Sequence, residues 1–414
     1  TIYENIFQVN PGELIQVDDS GNLQSKNMTS FSKFQNKKDK KNIESALSDV
    51  MKNAVKRQLV SDVSVATFLS GGIDSPLISA YAKNGKPDIE AFTLKVNHPK
   101  INESEIASSY VNHLQLKHKI VSVEEEELLK NIDEHFLAFS EPFGDYSSIP
   151  TYVITKEAKK RHSVMLSGDG GDELFFGYPR MLDIVKKRYW FKLPYVIRKP
   201  LAQITNTLGW TKSWAPYYKS LDDFIMNKHI QLPINVLSKC VPNTNFSESM
   251  NTLYCFKNTT RKSVLHQLRW NEFYAHMQRV LIKVDRASMK HSLEVRVPFL
   301  DKESIDYSWE LQGYLNSKKD LKKHLKTLLA KEVPESLINQ KKMGFTVPLY
   351  NWLHNELKVD VILHIFDKPF YGEAVLDVEE LRQYTSDFYN HKHKNVWGLW
   401  HIYAWQKWAS IHLE

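Results

Sequence analysis

In the first half of the chain, segments with the apolar pattern of buried strands alternate with segments with the apolar pattern of helices. Four short runs, rich in β-branched and other apolar residues, have the pattern of buried strands. Between them, apolar residues recur every three or four positions, which is typical of one face of a helix. The predicted strands cover residues 63–69, 89–96, 118–123 and 163–167, and the predicted helices cover residues 42–59, 76–83, 103–114, 124–139 and 152–161.

Strands that alternate with helices predict an α/β fold with a doubly wound parallel sheet. In such sheets, ligands bind outside the carboxyl ends of the strands. Ser70, Leu94 and Ser167 belong to the predicted carboxyl ends. We therefore expect these three residues to converge at one edge of the sheet.

The two ends of the chain have other patterns. Residues 1–35 contain an alternating strand and a hairpin turn, which is too little to form a core alone. A basic linker follows at residues 36–41. The pattern weakens over residues 189–258 and then becomes helical up to the end, which predicts a helical C-terminal region. The last helix carries apolar residues at helical spacing, which favours a buried core helix: Trp397, Trp400, Ala404 and Trp408.

Composition narrows the class of protein. Of the 414 residues, 42% are apolar and 25% charged, as in globular proteins, and no apolar run reaches the roughly 18 residues of a membrane-spanning helix. No signal peptide is visible, and the two cysteines have no metal-type spacing, so a cytoplasmic location without a membrane partner is expected. The net charge of +7 favours lysines scattered over solvated faces rather than nucleic-acid binding. The chain begins at Thr1 and is expected to be a fragment or to follow a removed segment.

A glycine turn follows the first predicted strand, with the sequence S-G-G-I-D-S at residues 70–75. A strand, a glycine turn and a helix N-terminus expose backbone N–H groups to a phosphate, and Ser70 and Ser75 add hydroxyl donors. Asp74 fits such an anion site if it holds Mg²⁺, which binds one or two carboxylates together with phosphate oxygens. The loop is not a Walker A motif, and S-G-G alone would also fit an ordinary tight turn.

A second acidic loop follows the fourth predicted strand, with the sequence S-G-D-G-G-D-E-L-F-F-G-Y at residues 167–178. Asp169, Asp172 and Glu173 bring three negative charges together, which raises carboxyl pKa values unless a cation compensates. A structural Ca²⁺ loop is the alternative, but the spacing of an EF-hand is absent. We favour Asp172 and Asp74 as ligands of one Mg²⁺ on a pyrophosphate group.

Several motifs occur in the order seen in the synthetase domain of glutamine-dependent asparagine synthetases. The chain resembles this family, and its first glycine turn resembles the PP-loop of enzymes that split ATP into AMP and pyrophosphate. The resemblance covers about residues 42–408 and rests on residues 70–75, 141–145, 167–178, 284–289, 294–301 and 342–345.

The resemblance implies a domain arrangement and a partner. Residues 1–35 look like the closing strands of an N-terminal glutaminase domain, most of which this chain lacks. Residues 42–414 then form the ATP-dependent amide synthetase domain, with the sheet core at about 60–180 and the helical part at about 181–414. Ammonia would come from a glutaminase domain missing here, and a homodimer is left open.

The resemblance also implies a reaction and the residues that serve it. A carboxylate, most simply aspartate, would attack ATP to give an acyl-adenylate and pyrophosphate, and ammonia would then give the amide and AMP. Lys342 matches a lysine that stabilises the reacting phosphorus, and Asp169 stands where the family often has Glu. Asp74 and Asp172 match the Mg²⁺ ligands. The ATP-binding positions are Leu69, Ser70, Gly71, Gly72, Asp74, Ser75, Thr93, Leu94, Ser167 and Gly168.

Two departures from the family pattern keep other functions open. Asp169 is shorter than Glu, and Gln340 stands where the family commonly has Arg. An amidotransferase of the same family acting on a sugar acid or a secondary metabolite is one alternative, and a PP-loop enzyme that modifies tRNA is another. A degenerate partner subunit is disfavoured. Four charged residues are either ion-paired cross-links or substrate contacts: Asp285, Arg286, Glu294 and Arg296.

Overall fold

The computed structural model describes residues 1–30, 34, 44–97, 102–207, 215–232, 234–242, 253–254, 260–311, 313, 315–340 and 347–413. The predicted linker at 36–41 and the predicted catalytic Lys342 lie outside these residues. The chain divides into two compact units. The first comprises residues 1–128, 151–179 and 265–344, and the second comprises residues 129–150, 180–264 and 345–414.

An antiparallel hairpin opens the first unit. Strand β1 (Glu13–Val17) pairs with β2 (Leu23–Asn27), with Ile15 opposite Ser25. Asp18 fixes the turn, because its carboxylate accepts hydrogen bonds from the N–H groups of Ser20 and Asn22. Among the described residues the two strands form a sheet of their own, and most of their side chains are exposed.

A five-stranded parallel sheet forms the centre of the first unit, which confirms the predicted α/β class. The strand order is β5-β4-β3-β6-β7, and every neighbouring pair is parallel. Four strands match the predicted runs to within a few residues. The strands are β3 (Val65–Phe68), β4 (Glu90–Val96), β5 (Lys117–Val123), β6 (Val164–Leu166) and β7 (Glu294–Arg296).

Strand β7 contradicts the prediction that the chain beyond residue 263 is entirely helical. It pairs in parallel with β6, with Val295 opposite Met165. Its three residues carry no recognisable apolar run, so only pairing with β6 identifies it as a strand. Arg296 extends from it and donates hydrogen bonds of 2.7 Å each to the carbonyl oxygens of Gln58 and Val60. Arg296 is therefore a structural cross-link, whereas Asp285 and Arg286 are exposed.

Helices cover the sheet and fill the rest of the chain. The predicted helix at 124–139 is two short helices, because Asn131 leaves the helical conformation between them. The first eight helices are α1 (Glu44–Gln58), α2 (Asp74–Gly85), α3 (Ser104–Leu114), α4 (Glu125–Lys130), α5 (Ile132–Phe136), α6 (Ser148–Lys159), α7 (Gly171–Leu174) and α8 (Pro179–Lys187). Those that follow are α9 (Tyr195–Thr207), α10 (Leu221–His229), α11 (Ile234–Cys240), α12 (Arg261–Trp270), α13 (Met277–Met289), α14 (Lys302–Ser308), α15 (Lys323–Leu329), α16 (Glu335–Ile338), α17 (Leu349–His354), α18 (Lys358–Ile362), α19 (Val378–Tyr389) and α20 (Val396–His412).

The core of the first unit lies between the sheet and the helices on its faces. Leu47 and Met51 of α1 and Leu77 of α2 are fully buried in one cluster with Val65 and Leu166 of the sheet. Burying a side chain of this size stabilises the fold by about 1.5–3 kcal/mol. Helix α2 is therefore held firmly on the sheet, and its first turn is fixed next to the carboxyl end of β3.

Helix α20 belongs to the second unit, and the prediction of a core helix is confirmed for Trp400, Ala404 and Trp408, whereas Trp397 is only partly buried. Trp400 and Trp408 are fully buried, and the indole N–H of Trp408 donates to the carbonyl of Phe139 at 2.8 Å. Among the described residues, no helix is both long enough and apolar enough to cross a membrane.

Candidate phosphate and metal site

The turn between β3 and α2 is held open by its own serines. The backbone N–H of Ser70 donates to Oγ of Ser75 at 2.9 Å, and the hydroxyl groups of the two serines lie 3.0 Å apart. The N–H of Gly72 donates to Oγ of Ser70 at 3.2 Å. From outside the turn, the carboxylate of Glu103 accepts from the N–H of Gly71 at 3.3 Å. The first turn of α2 has no side-chain cap at Ile73, so a helix N-terminus faces the loop.

The second acidic loop lies directly against this turn. Its glycines are needed for close approach, since a Cβ on Gly168 would lie 2.6 Å from the backbone nitrogen of Ser75. A Cβ on Gly171 would collide with Oδ1 of Asp74, and one on Gly177 would collide with Oδ1 of Asp172. The glycines identified in the sequence thus let two loops, about a hundred residues apart in the chain, meet around one carboxylate.

Lys322 joins the two predicted metal ligands. Its ammonium group donates to Oδ2 of Asp74 and lies 2.7 Å from Oδ1 of Asp172. The side chains of Lys322 and Asp74 are buried, and that of Asp172 is about three-quarters buried. Both carboxyl groups therefore lie within hydrogen-bonding reach of one cation, which is the proximity that the sequence analysis expects of them.

The local geometry of Lys322 is unusual for a residue of its type. Its φ of 54° and ψ of 28° place it in the left-handed region just before α15, a conformation that costs about 1 kcal/mol or more in a residue with a side chain. Burial alone would lower the pKa of its ammonium group, but attraction to Asp172 and Asp74 outweighs burial, and the pKa is raised. The lysine is therefore charged in the folded protein and neutralises part of the acidic pair.

The carboxylate oxygens of Asp74 and Asp172 are chemically suited to bind Mg²⁺. Two carboxylates already converge on a cation, and hard oxygen ligands suit Mg²⁺. In the described part of the chain, no cluster of three or more His, Cys, Asp or Glu side chains could hold a metal by itself. A site with two carboxylates leaves the remaining positions to phosphate oxygens and water, which is how Mg²⁺ usually binds with nucleotides.

The other predicted site residues line the same region in different ways. Thr93 donates to the carbonyl of Leu69 at 2.9 Å, so these two residues meet at β3 and β4. Leu94 lies within β4, two residues before its end, and is largely buried. The hydroxyl of Ser167 donates to Oδ2 of Asp169 at 2.6 Å. That bond turns the carboxylate of Asp169 back towards its own loop.

Two residues near the site were missed or given no role in the sequence analysis. Lys322 lies about 150 residues beyond Asp172 in a basic stretch that gives no sign of burial. Glu173 is almost fully buried and accepts a hydrogen bond of 2.6 Å from the hydroxyl of Tyr178. Nε2 of His276 lies 3.1 Å from that hydroxyl oxygen. Burial, reinforced by the charge of Asp172, raises the pKa of Glu173 to about 7.

His118 has a local structural role. Its Nε2 lies 2.9 Å from the hydroxyl oxygen of Thr93, so it fixes the rotamer that places Thr93 against Leu69. Gln340, the second departure from the family pattern, is exposed.

An apolar cavity of about 250 Å³ lies in the second unit and holds none of the predicted site residues. Cys240, Leu381, Ile402 and Trp405 are among the residues that line it. The amide of Gln406 is turned away to bond the backbone of Tyr371.

A parallel sheet with a glycine turn, a helix N-terminus and two converging carboxylates is an arrangement with which α/β proteins bind phosphate groups. The chain matches the model of the asparagine synthase family over residues 46–410, and it belongs to that family. It is 27% identical over 426 residues to glutamine-hydrolyzing asparagine synthetase 1 of Bacillus subtilis, covering all of this chain and 66% of that relative.

Two further likenesses cover less of the chain. A putative glutamine-hydrolyzing asparagine synthetase of Mycobacterium tuberculosis is 28% identical over 317 residues, covering 73% of this chain and 48% of that relative. The solved structure of NMN synthetase from Francisella tularensis is 12% identical with a TM-score of 0.24, covering 61% of this chain and 98% of that one. The chain thus spans between about half and two thirds of the length of these two curated relatives.

Replacing the lysine of the acidic pair tests the site without any assay of activity. Lys322→Met should lower the free energy of unfolding by about 3 kcal/mol, because two carboxylates then lose their buried cation. Millimolar MgCl₂ should restore more stability to this variant than to the wild type, since the divalent ion can take the place of the ammonium group. Denaturant unfolding with and without MgCl₂ measures both effects.

Lys326→Met is the matched control, one turn further along α15, where the ammonium group donates to the carbonyl of Lys319 and forms no ion pair with a carboxylate of the described residues. Its stability should change by less than about 1 kcal/mol and should not respond differently to MgCl₂. A Lys322→Met protein as stable as the wild type would contradict the bridging role of Lys322.

The raised pKa of Glu173 makes stability depend on pH. In the folded protein Glu173 keeps its proton up to about pH 7, whereas in the unfolded chain it loses it near pH 4.5. The contribution of protonated Glu173 to the free energy of unfolding is therefore fully present below pH 4.5 and is lost as the pH rises through 7. Between pH 4.5 and pH 8, the free energy of unfolding of the wild type should fall by up to about 3 kcal/mol more than that of the Glu173→Gln variant.

Urea unfolding across this pH range measures the difference. The exposed Glu335→Gln variant serves as the control and should follow the wild-type profile. Parallel profiles for the wild type and Glu173→Gln would show that burial of Glu173 does not shift its titration.

Proposed function

We propose that the chain is the synthetase part of an ATP-dependent amide synthetase. The observation that carries this proposal is the convergence of Asp74, Asp172 and Lys322 beside the glycine turn that follows β3. Membership in the asparagine synthase family supports the reaction class. The proposed substrates are ATP, ammonia and a small carboxylate, most simply aspartate.

The first proposed step activates the carboxylate. One oxygen of the substrate carboxylate attacks the α-phosphorus of ATP, the bond between the α-phosphorus and the bridging oxygen to the β-phosphorus breaks, and pyrophosphate leaves. Ammonia then attacks the acyl carbon, loses a proton, and displaces AMP to leave the amide. A carboxylate alone resists such attack because its negative charge repels the nucleophile.

The residues of this chain would act by binding and by neutralising charge. Backbone N–H groups at the start of α2, with Ser70 and Ser75, would hold the pyrophosphate end of ATP. Bound Mg²⁺ would supply positive charge to the phosphate oxygens, held by Asp74 and Asp172. Lys322 is placed to donate to a phosphate oxygen once the metal takes over the two carboxylates.

The residues that would border the nucleoside end of ATP are assigned from their positions in the family's sequence motifs. Leu69, Thr93 and Leu94 are proposed to border adenine and ribose, and Ser167 and Gly168 to line the pocket between nucleotide and substrate. Lys342 remains the proposed partner of the reacting phosphorus, on the family pattern alone. The same pattern supports residues 1–35 as the end of a glutaminase domain and residues 42–414 as the synthetase.

The exposed apolar side chains of the β1–β2 hairpin support a source of ammonia outside this chain. Leu14, Val17 and Leu23 are each more than half exposed, as expected of strands that pack against a further domain. We infer that a glutaminase domain packs on the hairpin and supplies ammonia to the synthetase.

A different carboxylate is the second candidate, and one observation favours it. Asp169 is shorter than the glutamate often found there, and its carboxylate is bonded to Ser167. It therefore reaches less far into the substrate side of the pocket than a free glutamate would. A sugar acid or another larger carboxylate would fit the space that this leaves.

ATP–pyrophosphate exchange with a panel of carboxylates tests the proposed first step. Exchange should require Mg²⁺ and one carboxylate of the panel, and Gly171→Ala should reduce it by about 100-fold or more, because the new Cβ displaces the carboxylate of Asp74. Adding ammonium chloride, but not glutamine, should convert the activated carboxylate to its amide.

Gly85→Ala is the control for the glycine substitution. Its Cβ would meet only the end of the Leu59 side chain, which can move, so exchange should remain at the wild-type rate. No exchange with any carboxylate, including aspartate and sugar acids, would defeat the proposed function.

A further inference from the structure

One stretch of the second unit has an extreme charge pattern. Residues 184–221 contain no Asp or Glu, although the average of 48 acidic residues in 414 would place about four in a stretch of this length. The same stretch carries eight basic residues. They are Lys186, Lys187, Arg188, Lys192, Arg198, Lys199, Lys212 and Lys219, of which Lys212 lies outside the described residues.

Large apolar side chains are exposed within this stretch. Val196 is 81% exposed and Ile197 55%, although both lie in the first turn of α9. Tyr189, Leu193 and Leu201 are also more than 40% exposed. Single exposed apolar residues need no explanation, but five within thirteen positions concentrate apolar surface in one segment, and Ile197 and Leu201, four residues apart, share one face of α9.

A buried arginine fixes the position of the helix that carries these exposed side chains. Arg198 is almost fully buried, and its guanidinium donates to the carbonyl oxygens of Leu193, Tyr218 and Lys219 at 2.7–2.9 Å. The next residues back along α9, Val196 and Ile197, face outward instead. The arginine also ties α9 to the segment that carries the exposed Tyr217 and Lys219. The helix thus buries the polar Arg198 and exposes Val196, Ile197 and Leu201.

The cations around the patch are available to a partner. Lys186, Lys192, Lys199 and Lys219 are exposed, and none of them forms an ion pair with another residue in the described ranges. By contrast, Lys187 is held by Asp183 at 2.7 Å. The nearest acidic residues in the sequence, Asp183 and Asp222, flank the stretch without entering it.

We propose that this basic apolar face, formed by residues 186–201 and 217–219, docks the protein on an anionic membrane surface. Aliphatic and aromatic side chains would enter the boundary between headgroups and acyl chains, and the lysines would contact anionic headgroups. Nucleic acid is the weaker match, because it offers charge without an apolar layer for Val196 and Ile197. That no helix of the described residues could cross a membrane does not bear on this mode, in which a helix lies on the surface.

The docking proposal goes beyond the proposed function and does not depend on it. The sequence predicts no membrane partner, because no apolar run in it is long enough to span a bilayer. Surface docking needs only a short face with both apolar and basic side chains. A synthetase held at such a surface would meet carboxylate substrates that are attached to lipids.

Vesicle co-sedimentation of the full chain tests the docking. Vesicles of phosphatidylcholine mixed with phosphatidylglycerol should bind the protein at least about tenfold better than phosphatidylcholine alone, and added salt should weaken the binding. The double variant Val196→Asp with Ile197→Asp should lose binding by about tenfold or more, and so should Lys192→Glu with Lys199→Glu.

Matched controls separate docking from general effects of added charge. Val359→Asp changes a valine that is 78% exposed on α18, and Lys331→Glu changes an exposed lysine outside the stretch. Both should bind vesicles as the wild type does. Circular dichroism and thermal unfolding verify that every variant is folded.

Four results would overturn the proposal. They are no binding to anionic vesicles, equal binding to neutral ones, wild-type binding by the valine–isoleucine variant, and equal loss in the controls. If the same variant instead abolished a dimer, the face would belong to a second copy. If the protein bound an RNA homopolymer but no vesicles, the face would belong to nucleic acid.

Discussion

One ammonium group between two carboxylates is the interaction on which the site depends. Lys322 reaches Asp74 at the start of α2 and Asp172 in the short helix α7 after β6, and it comes from a third segment of the chain. Without a cation, the two carboxylates would repel each other in a largely buried place. The lysine therefore holds the two loops together, and the proposed metal and phosphate group would replace its contacts.

The surrounding structure serves this arrangement. The parallel sheet brings the carboxyl ends of β3 and β6 side by side, which places the two acidic loops in contact. A Cβ on Gly168 or Gly171 would collide with the turn that carries Asp74, and a Cβ on Gly177 would collide with Asp172 and Lys322. Lys322 takes a left-handed backbone conformation, and Glu173 is buried with a raised pKa. Strain and buried charge of this kind are characteristic of functional sites.

The sequence predicted what depends on local pattern. The α/β class, four of the five parallel strands and the loops with Asp74 and Asp172 follow from apolar runs and glycines that are adjacent in the chain. It did not predict β7, because three residues without an apolar run form a strand only by pairing with β6. It did not predict the break in the helix at Asn131 either. It also missed Lys322, since a lysine in a basic stretch becomes a buried cation only through contacts about 150 and 250 residues away.

A crystal structure with Mn²⁺ and a non-hydrolysable ATP analogue would show whether Asp74 and Asp172 share one metal ion, because the anomalous signal of manganese locates the metal. We predict one Mn²⁺ about 2 Å from an oxygen of Asp74 and from an oxygen of Asp172, with phosphate oxygens completing its ligands. Manganese bound elsewhere, with Lys322 still bridging both carboxylates while the nucleotide is bound, would contradict this prediction.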